Sequence, residues 1–408
     1  MYIIIFMGNI KPITIVGAGL SGSIIAFSLL KLGMKVQIID SGNIFNRKYQ
    51  QEPWGWRRRI SLHAKVKTKH IKHNNFLDEF HTKIMGPMLI STKNNTTYHL
   101  WKQWIQNNNT NAYVLSPNEA CNEFTIPRSY FSQNNEGGIF VCDNRDYLMN
   151  FNNFNRNMWD YLSQQPNCEL IPDELINKIG IENNKVIYVG SNNNIFFIDK
   201  LILCLGNQTN NLLRHIGQYI PIMNIKLPYI YKRVIVDKPY ISLWNKESTI
   251  NYFPNSIVKI GCGSQSLFVN NNDLLSYLYF ALLGLKNYKN IHFTTKEKLI
   301  QNAINELERL DITLPTNEYE YIEDCNVDLT TSLSPIVDFL PSTNNTMVIT
   351  GFSGSGSMLM ESWFIDAITS SIINNKLNNN LNPFKINNSL YSNWFHDKDK
   401  LTPISALN

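Results

Sequence analysis

Gly17, Gly19 and Gly22 carry the spacing G-x-G-x-x-G, and an acid, Asp40, closes the apolar run that follows. Glycines at that spacing suit a pyrophosphate. The first permits a tight turn, the second lets the backbone approach the phosphates, and the third lets a helix lie close to a strand. A carboxylate placed like Asp40 accepts hydrogen bonds from both ribose hydroxyls of an adenosine and repels a 2′-phosphate. The alternative is a tight turn without a ligand; the flanking strands, helix and acid favour a dinucleotide. Two other stretches have the chemistry to meet an anion. Arg57, Arg58 and Arg59 follow two tryptophans and offer guanidinium groups for bidentate phosphate contacts, a solvated basic turn being the alternative. Residues 351–357, GFSGSGS, form a second glycine-rich turn far along the chain.

These groups need elements to hold them. Ile13, Ile15 and Val16 predict a buried strand, residues 23–32 a helix and residues 34–39 a second strand, with Leu20 and Ser21 inside the glycine motif. Residues 52–69 carry the arginines ahead of a helix-like stretch, and residues 83–128 are less regular and begin a second domain. Residues 137–162 open with a short strand and continue as an amphipathic helix. Residues 168–171, 176–181, 185–189 and 195–197 predict a short strand and a meander with Asn-rich turns. Residues 200–205 predict a buried strand that ends at Gly206 and rejoins the first sheet. Residues 219–270 are strand-like and include Lys259, and residues 273–285 predict a helix. A strand over 346–350 and a helix over 358–373 flank the second glycine turn.

A length of 408 residues suggests two domains, and 43% hydrophobic content is ordinary for a globular protein. The net charge of +5 comes without a long basic block, which argues against nucleic-acid binding. Six cysteines at irregular spacing, with no C-x-x-C pair, favour neither a disulfide framework nor a zinc or other metal site, so a reducing, cytoplasmic setting is expected. The opening MYIIIFM is far too short to span a membrane and lacks signal-peptide features, so no membrane partner is expected; Met7 is an alternative start.

The blocks GAGLSG with Asp40, GGIFVCDNRDYL, KVIYV with KLILCLG, NYFPNSIVKIG, and SLSPIVDFLPSTNNTMVITGFSGSGS together resemble the FAD-dependent D-amino acid oxidase superfamily. The resemblance runs over residues 13–373, and its last two blocks are most similar to the sarcosine and N-methyl amino acid oxidase branch. It implies an α/β protein with a Rossmann-type FAD-binding domain of parallel sheet and β-meander, interleaved with a substrate domain built on an antiparallel or mixed sheet. The expected division gives residues 11–85, 137–215 and 325–380 to the FAD domain, 86–136 and 216–324 to the substrate domain, and 381–408 to a tail. The chemistry implied is hydride removal from the C–N bond of a small amine or amino acid derivative, with oxygen or another acceptor taking the electrons.

By the same resemblance FAD lies along Gly17, Gly19, Leu20, Ser21, Gly22, Asp40, Arg58, Arg59, Gly206, Gly351, Phe352, Ser353, Gly354, Ser355 and Gly356. Lys259 matches the lysine that the branch places over the flavin to assist oxygen reduction, and Arg59 matches its flavin-facing arginine. An exposed strand lysine is the alternative for Lys259. Cys325 falls where the branch attaches FAD covalently, against the alternative of a buried free cysteine, and His63 is a second, weaker attachment candidate.

Departures from the branch bear on the substrate. Leu62 and Met358 stand where it holds the substrate carboxylate with an arginine and a lysine, and Gly263 replaces its active-site histidine. The superfamily's alternative carboxylate arginine is also missing near Asp328 and Leu329, which puts an ordinary amino acid in doubt; Arg57, Arg58 and Arg233 are the candidate substitutes. Three functions remain open: an FAD-dependent amine oxidase or dehydrogenase, a flavoenzyme acting on a protein residue or an RNA base, and a flavin-binding protein without catalysis.

Overall fold

All four residues of the strand Ile13–Val16 are buried, as expected of a parallel strand covered on both faces. It lies inside a six-stranded sheet of order Ile336–Phe339, Thr346–Thr350, Lys200–Leu203, Ile13–Val16, Val36–Ile39 and Cys168–Ile171. Every pair is parallel except the first. The computed structural model describes residues 11–42, 54–57, 77, 80, 83–107, 112–131, 137–142, 147–234, 238–245, 248–253, 257–262, 266–269, 292–293, 296–312, 321–330, 335–352, 359 and 362–387.

Three helices, Leu20–Lys31, Phe151–Ser163 and Ser362–Asn374, pack their apolar sides on one face of this sheet. Phe27, Met158 and Phe364 meet Ile15, Ile38 and Met347 there in one continuous core. The other face is closed by a three-stranded meander, Lys178–Glu182, Lys185–Gly190 and Ile195–Phe197, through Val186 and Val189. Asn345 ties the meander down. Its amide donates to the Val186 and Asp199 carbonyls and accepts from the Val186 N–H, satisfying backbone groups that would otherwise be buried without partners.

The second large sheet has ten strands among the described residues. Its middle runs Ile222–Arg233, Ile257–Cys262, Ser248–Phe253, Ser242–Trp244, Met88–Thr92 and Gly138–Val141, and Tyr321–Thr330 pairs along the first of these. Register separates its two faces. Ile230, Ile260, Ile250, Leu243, Leu89 and Val141 are direct cross-strand partners, all buried, and they form an apolar row across six strands. Leu307 and Leu310, at the end of the helix Lys296–Arg309 and just beyond it, join this core. On the same side Glu306 accepts hydrogen bonds from Asn245 and Arg309, with Lys93 at 3.9 Å, so the carboxylate is paired where it is buried.

The pairing divides the chain differently from the expected boundaries. Gly138–Val141, expected in the FAD domain, lies between Met88–Thr92 and Tyr113–Leu115 in the second sheet, and residues 325–330 belong there too. Short apolar strands say little about which sheet they join, because partner choice is a tertiary matter. The first helix begins at Leu20, before the expected residue 23, and the helix expected over 358–373 is described as Ser362–Asn374. The helix expected over 273–285 lies outside the described residues, and no described helix is long and apolar enough to cross a membrane.

Candidate active site

The glycine turn sits at the C-terminal end of Ile13–Val16, with Val36–Ile39 on one side and the much later strand Lys200–Leu203 on the other. This is a topological switch point, where α/β sheets bind ligands. Gly17 has φ +107°, and a Cβ there would lie 2.3 Å from the Cys204 carbonyl oxygen. A Cβ at Gly22 would come within 1.9 Å of the Gly17 carbonyl oxygen, so the helix approaches the turn as closely as only glycine permits. At Gly19 a Cβ would meet nothing within 4 Å. The helix that follows has Gly19 as its N-cap and no side-chain cap, which leaves its first N–H groups available to an anion. A crowded first and third glycine beside an open second one is the shape that a pyrophosphate requires, so these residues fit FAD.

Asp40 lies at the end of the second strand and is 7% exposed. Its two carboxylate oxygens accept hydrogen bonds from the Ala18 N–H at 2.7 Å and the Gly42 N–H at 2.9 Å. The sequence placed this acid beside a ribose; the structure also gives it the task of fixing the turn. Behind the turn, Cys204 is buried, and burial pushes its thiol well above the ordinary range.

Gly206 and Gly351 follow the neighbouring strands Lys200–Leu203 and Thr346–Thr350. Asp328, on the long second-sheet strand Tyr321–Thr330, reaches across to both. Its carboxylate accepts from the Gly351 N–H and the Thr350 hydroxyl, and that hydroxyl also lies 3.1 Å from the Gly206 carbonyl oxygen. Burial raises the carboxyl above its ordinary range, and these hydrogen bonds counter part of the rise. Phe352, buried, stacks edge-on against Phe364 at 6.1 Å.

On the face of the second sheet opposite its apolar row, Tyr231, Lys259, Asn251 and Ser242 are direct cross-strand partners. Lys259 is 4% exposed, on an internal strand, with its ammonium 5.5 Å from the Tyr231 ring centroid. The exposed-lysine alternative is therefore excluded. Ser242 donates to the Asn251 side-chain oxygen at 2.7 Å. A buried lysine in a row of hydroxyl and amide groups can stabilise negative charge that develops nearby.

The fold itself is matched among solved structures. Glycine oxidase from Bacillus cereus ATCC 14579 superposes with a TM-score of 0.65 at 14% identity, covering 91% of this chain and 97% of that one. NikD, an unusual amino acid oxidase essential for nikkomycin biosynthesis, gives 0.69 at 10% identity, covering 91% and 96%. L-proline dehydrogenase from P. horikoshii gives 0.61 at 16% identity, covering 96% and 99%. This is the D-amino acid oxidase-like fold. No family model and no curated protein sequence matches the chain, so at these identities the likeness is one of fold.

Measured against that D-amino acid oxidase-like frame, Gly17, Gly19, Leu20, Ser21, Gly22 and Asp40 come together around one turn, and Gly206, Gly351 and Phe352 around the neighbouring strand ends. Lys259 lies on the second sheet, and Cys325 on the strand that carries Asp328, opposite Leu227. Arg57 ends a strand that pairs with Tyr147–Asn150. Arg58, Arg59, Leu62, His63, Gly263, Ser353, Gly354, Ser355, Gly356 and Met358 lie outside the described residues, and Arg233 is exposed. Sequence reasoning missed Tyr231, Asn251 and Ser242. The polar row had a faint signal in NYFPNSIVKIG, where Asn251 and Lys259 interrupt apolar strands, but only cross-strand register joins them.

Proposed function

We propose that the protein is an FAD-dependent oxidoreductase that oxidises the C–N bond of a small amine or amino acid derivative. The observation that carries this reading is the pairing of an open, anion-ready glycine turn in one sheet with a buried lysine on the polar face of the other. Structures of like fold named as oxidases, deaminases and dehydrogenases of amino acids support the same class of reaction. Gly17, Gly19, Gly22 and the first helical turn would hold the pyrophosphate, with Asp40 near the ribose. Bound there, FAD supplies hydride acceptance. Lys259 brings positive charge to the buried polar row of the second sheet, with Tyr231, Asn251 and Ser242 beside it. With leucine and methionine at positions 62 and 358, the substrate is an amine whose carboxylate is absent or masked, and sarcosine and common D-amino acids are poor substrates.

The first test is cofactor capture. Purified protein carries FAD, and Gly19→Val, which places a side chain in the open space over the turn, abolishes binding while the protein stays folded. A colourless, folded wild type that ignores added FAD would refute the reading. Covalent attachment through Cys325 is the finer part of the proposal, supported by register: Cys325 lies four residues along its strand from Tyr321, the cross-strand partner of Tyr231, and so shares a face of the sheet with the Lys259 row. Acid-precipitated wild type stays yellow and Cys325→Ser releases the colour; a white wild-type pellet means the FAD is held without a covalent bond.

A further inference from the structure

We infer that Trp159, with Ser23, is a positioning residue for the cofactor: it holds the peptide of Ala18 so that the glycine turn presents its N–H groups before the pyrophosphate arrives. This rests on the FAD reading and goes beyond it. Trp159 belongs to the helix Phe151–Ser163, far from the glycine motif in sequence, and is 2% exposed. Its single indole N–H is shared between the Ala18 carbonyl oxygen at 2.8 Å and the Ser23 hydroxyl oxygen at 2.9 Å. Ser23, fully buried, in turn donates to the same Ala18 carbonyl at 3.0 Å. The other side of that residue is also fixed, because the Ala18 N–H donates to Asp40.

Ala18 lies between Gly17 and Gly19, the two residues whose conformational freedom would otherwise let the turn rotate. Fixing both its N–H and its C=O removes that freedom, and the cost of ordering the turn is met during folding. Without the indole donor the turn samples other orientations, and the apparent affinity for FAD falls by the fraction that remains competent. A buried indole could serve packing alone, since the same helix fills the core with Phe154, Met158 and Leu162. The hydrogen bonds distinguish the roles, because Trp159→Phe keeps most of the apolar volume and removes the donor.

The test is FAD affinity of the full-length protein stripped of flavin, measured well below its thermal midpoint for wild type, Trp159→Phe, Ser23→Ala and the control Trp101→Phe. If the FAD is covalent, Cys325→Ser is the common background. The control removes a fully buried tryptophan from the second sheet's core and lowers the midpoint without touching the turn. Trp159→Phe should raise the FAD dissociation constant by about tenfold or more, Ser23→Ala should do likewise, and amide exchange at residues 17–22 of the apoprotein should speed up. If Trp159→Phe fails to fold, Ser23→Ala carries the test. Unchanged affinity and unchanged exchange at the turn, beside a lowered midpoint like that of the control, would overturn the inference and leave the cofactor reading intact. A wild type without affinity for FAD would overturn both.

Discussion

Lys259 is the residue whose placement most constrains the chemistry. An ammonium buried on an internal strand is costly unless neighbouring dipoles, rings or a ligand offset the desolvation. Tyr231 and Asn251, its cross-strand partners, supply a ring face and an amide. Such a charge is worth most where negative charge develops in a water-poor site. Lys259→Met, which keeps the length and removes the charge, is expected to slow oxygen-dependent turnover by about a hundredfold. Turnover with an artificial electron acceptor should change much less. Equal losses with both acceptors would mean that the lysine serves the substrate or the fold and not oxygen.

At the scale of elements, the proposed site draws on strand ends from two sheets, and Asp328 ties one to the other. Its carboxyl is raised above the ordinary 3.8 chiefly by burial. The folded protein therefore binds that proton more tightly than the unfolded chain, and folding takes up a proton between the ordinary value and the raised one. The contribution of this group to stability is greatest below that window and falls as pH rises through it. Asp328→Asn removes the titration. Denaturant midpoints should show the wild type losing stability relative to Asp328→Asn as pH rises from the acid side, and parallel curves would show that the carboxyl has an ordinary pKa. Elements of this kind were legible in the sequence where local pattern suffices: the strands Cys168–Ile171, Ile195–Phe197 and Thr346–Thr350 lie where alternation and turn residues put them. Asp328 was not legible as a clasp. Its partners, Thr350 and Gly351, come from another sheet, and one of three acids in the polar strand Tyr321–Thr330 reads equally well as a solvent-facing residue.

For the whole molecule, the chain visits the six-stranded sheet three times, with Ile13–Ile39, then residues 168–203, then residues 336–350, and between these visits builds the second sheet. The glycine motif with its acid showed the first visit plainly, because strand, turn, helix and strand are contiguous. The second sheet was legible only as strand-rich text. Its order interleaves residues near 90, 140, 250 and 325, and the apolar row on one face and the Lys259 row on the other exist only once that order is set. Trp159 was hidden for the same reason, since its helix was visible and its contact with Ala18 was not. The proposed reaction joins the two sheets, with the cofactor on one and the amine and lysine against the other. It is tested most directly by mixing the FAD-loaded protein, without oxygen, with a panel of primary, secondary and carboxylate-masked amines while following the absorbance of oxidised flavin. Rapid bleaching by at least one such amine, with little or none by sarcosine, is the predicted result. Flavin that no amine bleaches but that NADH or NADPH reduces readily would contradict the account.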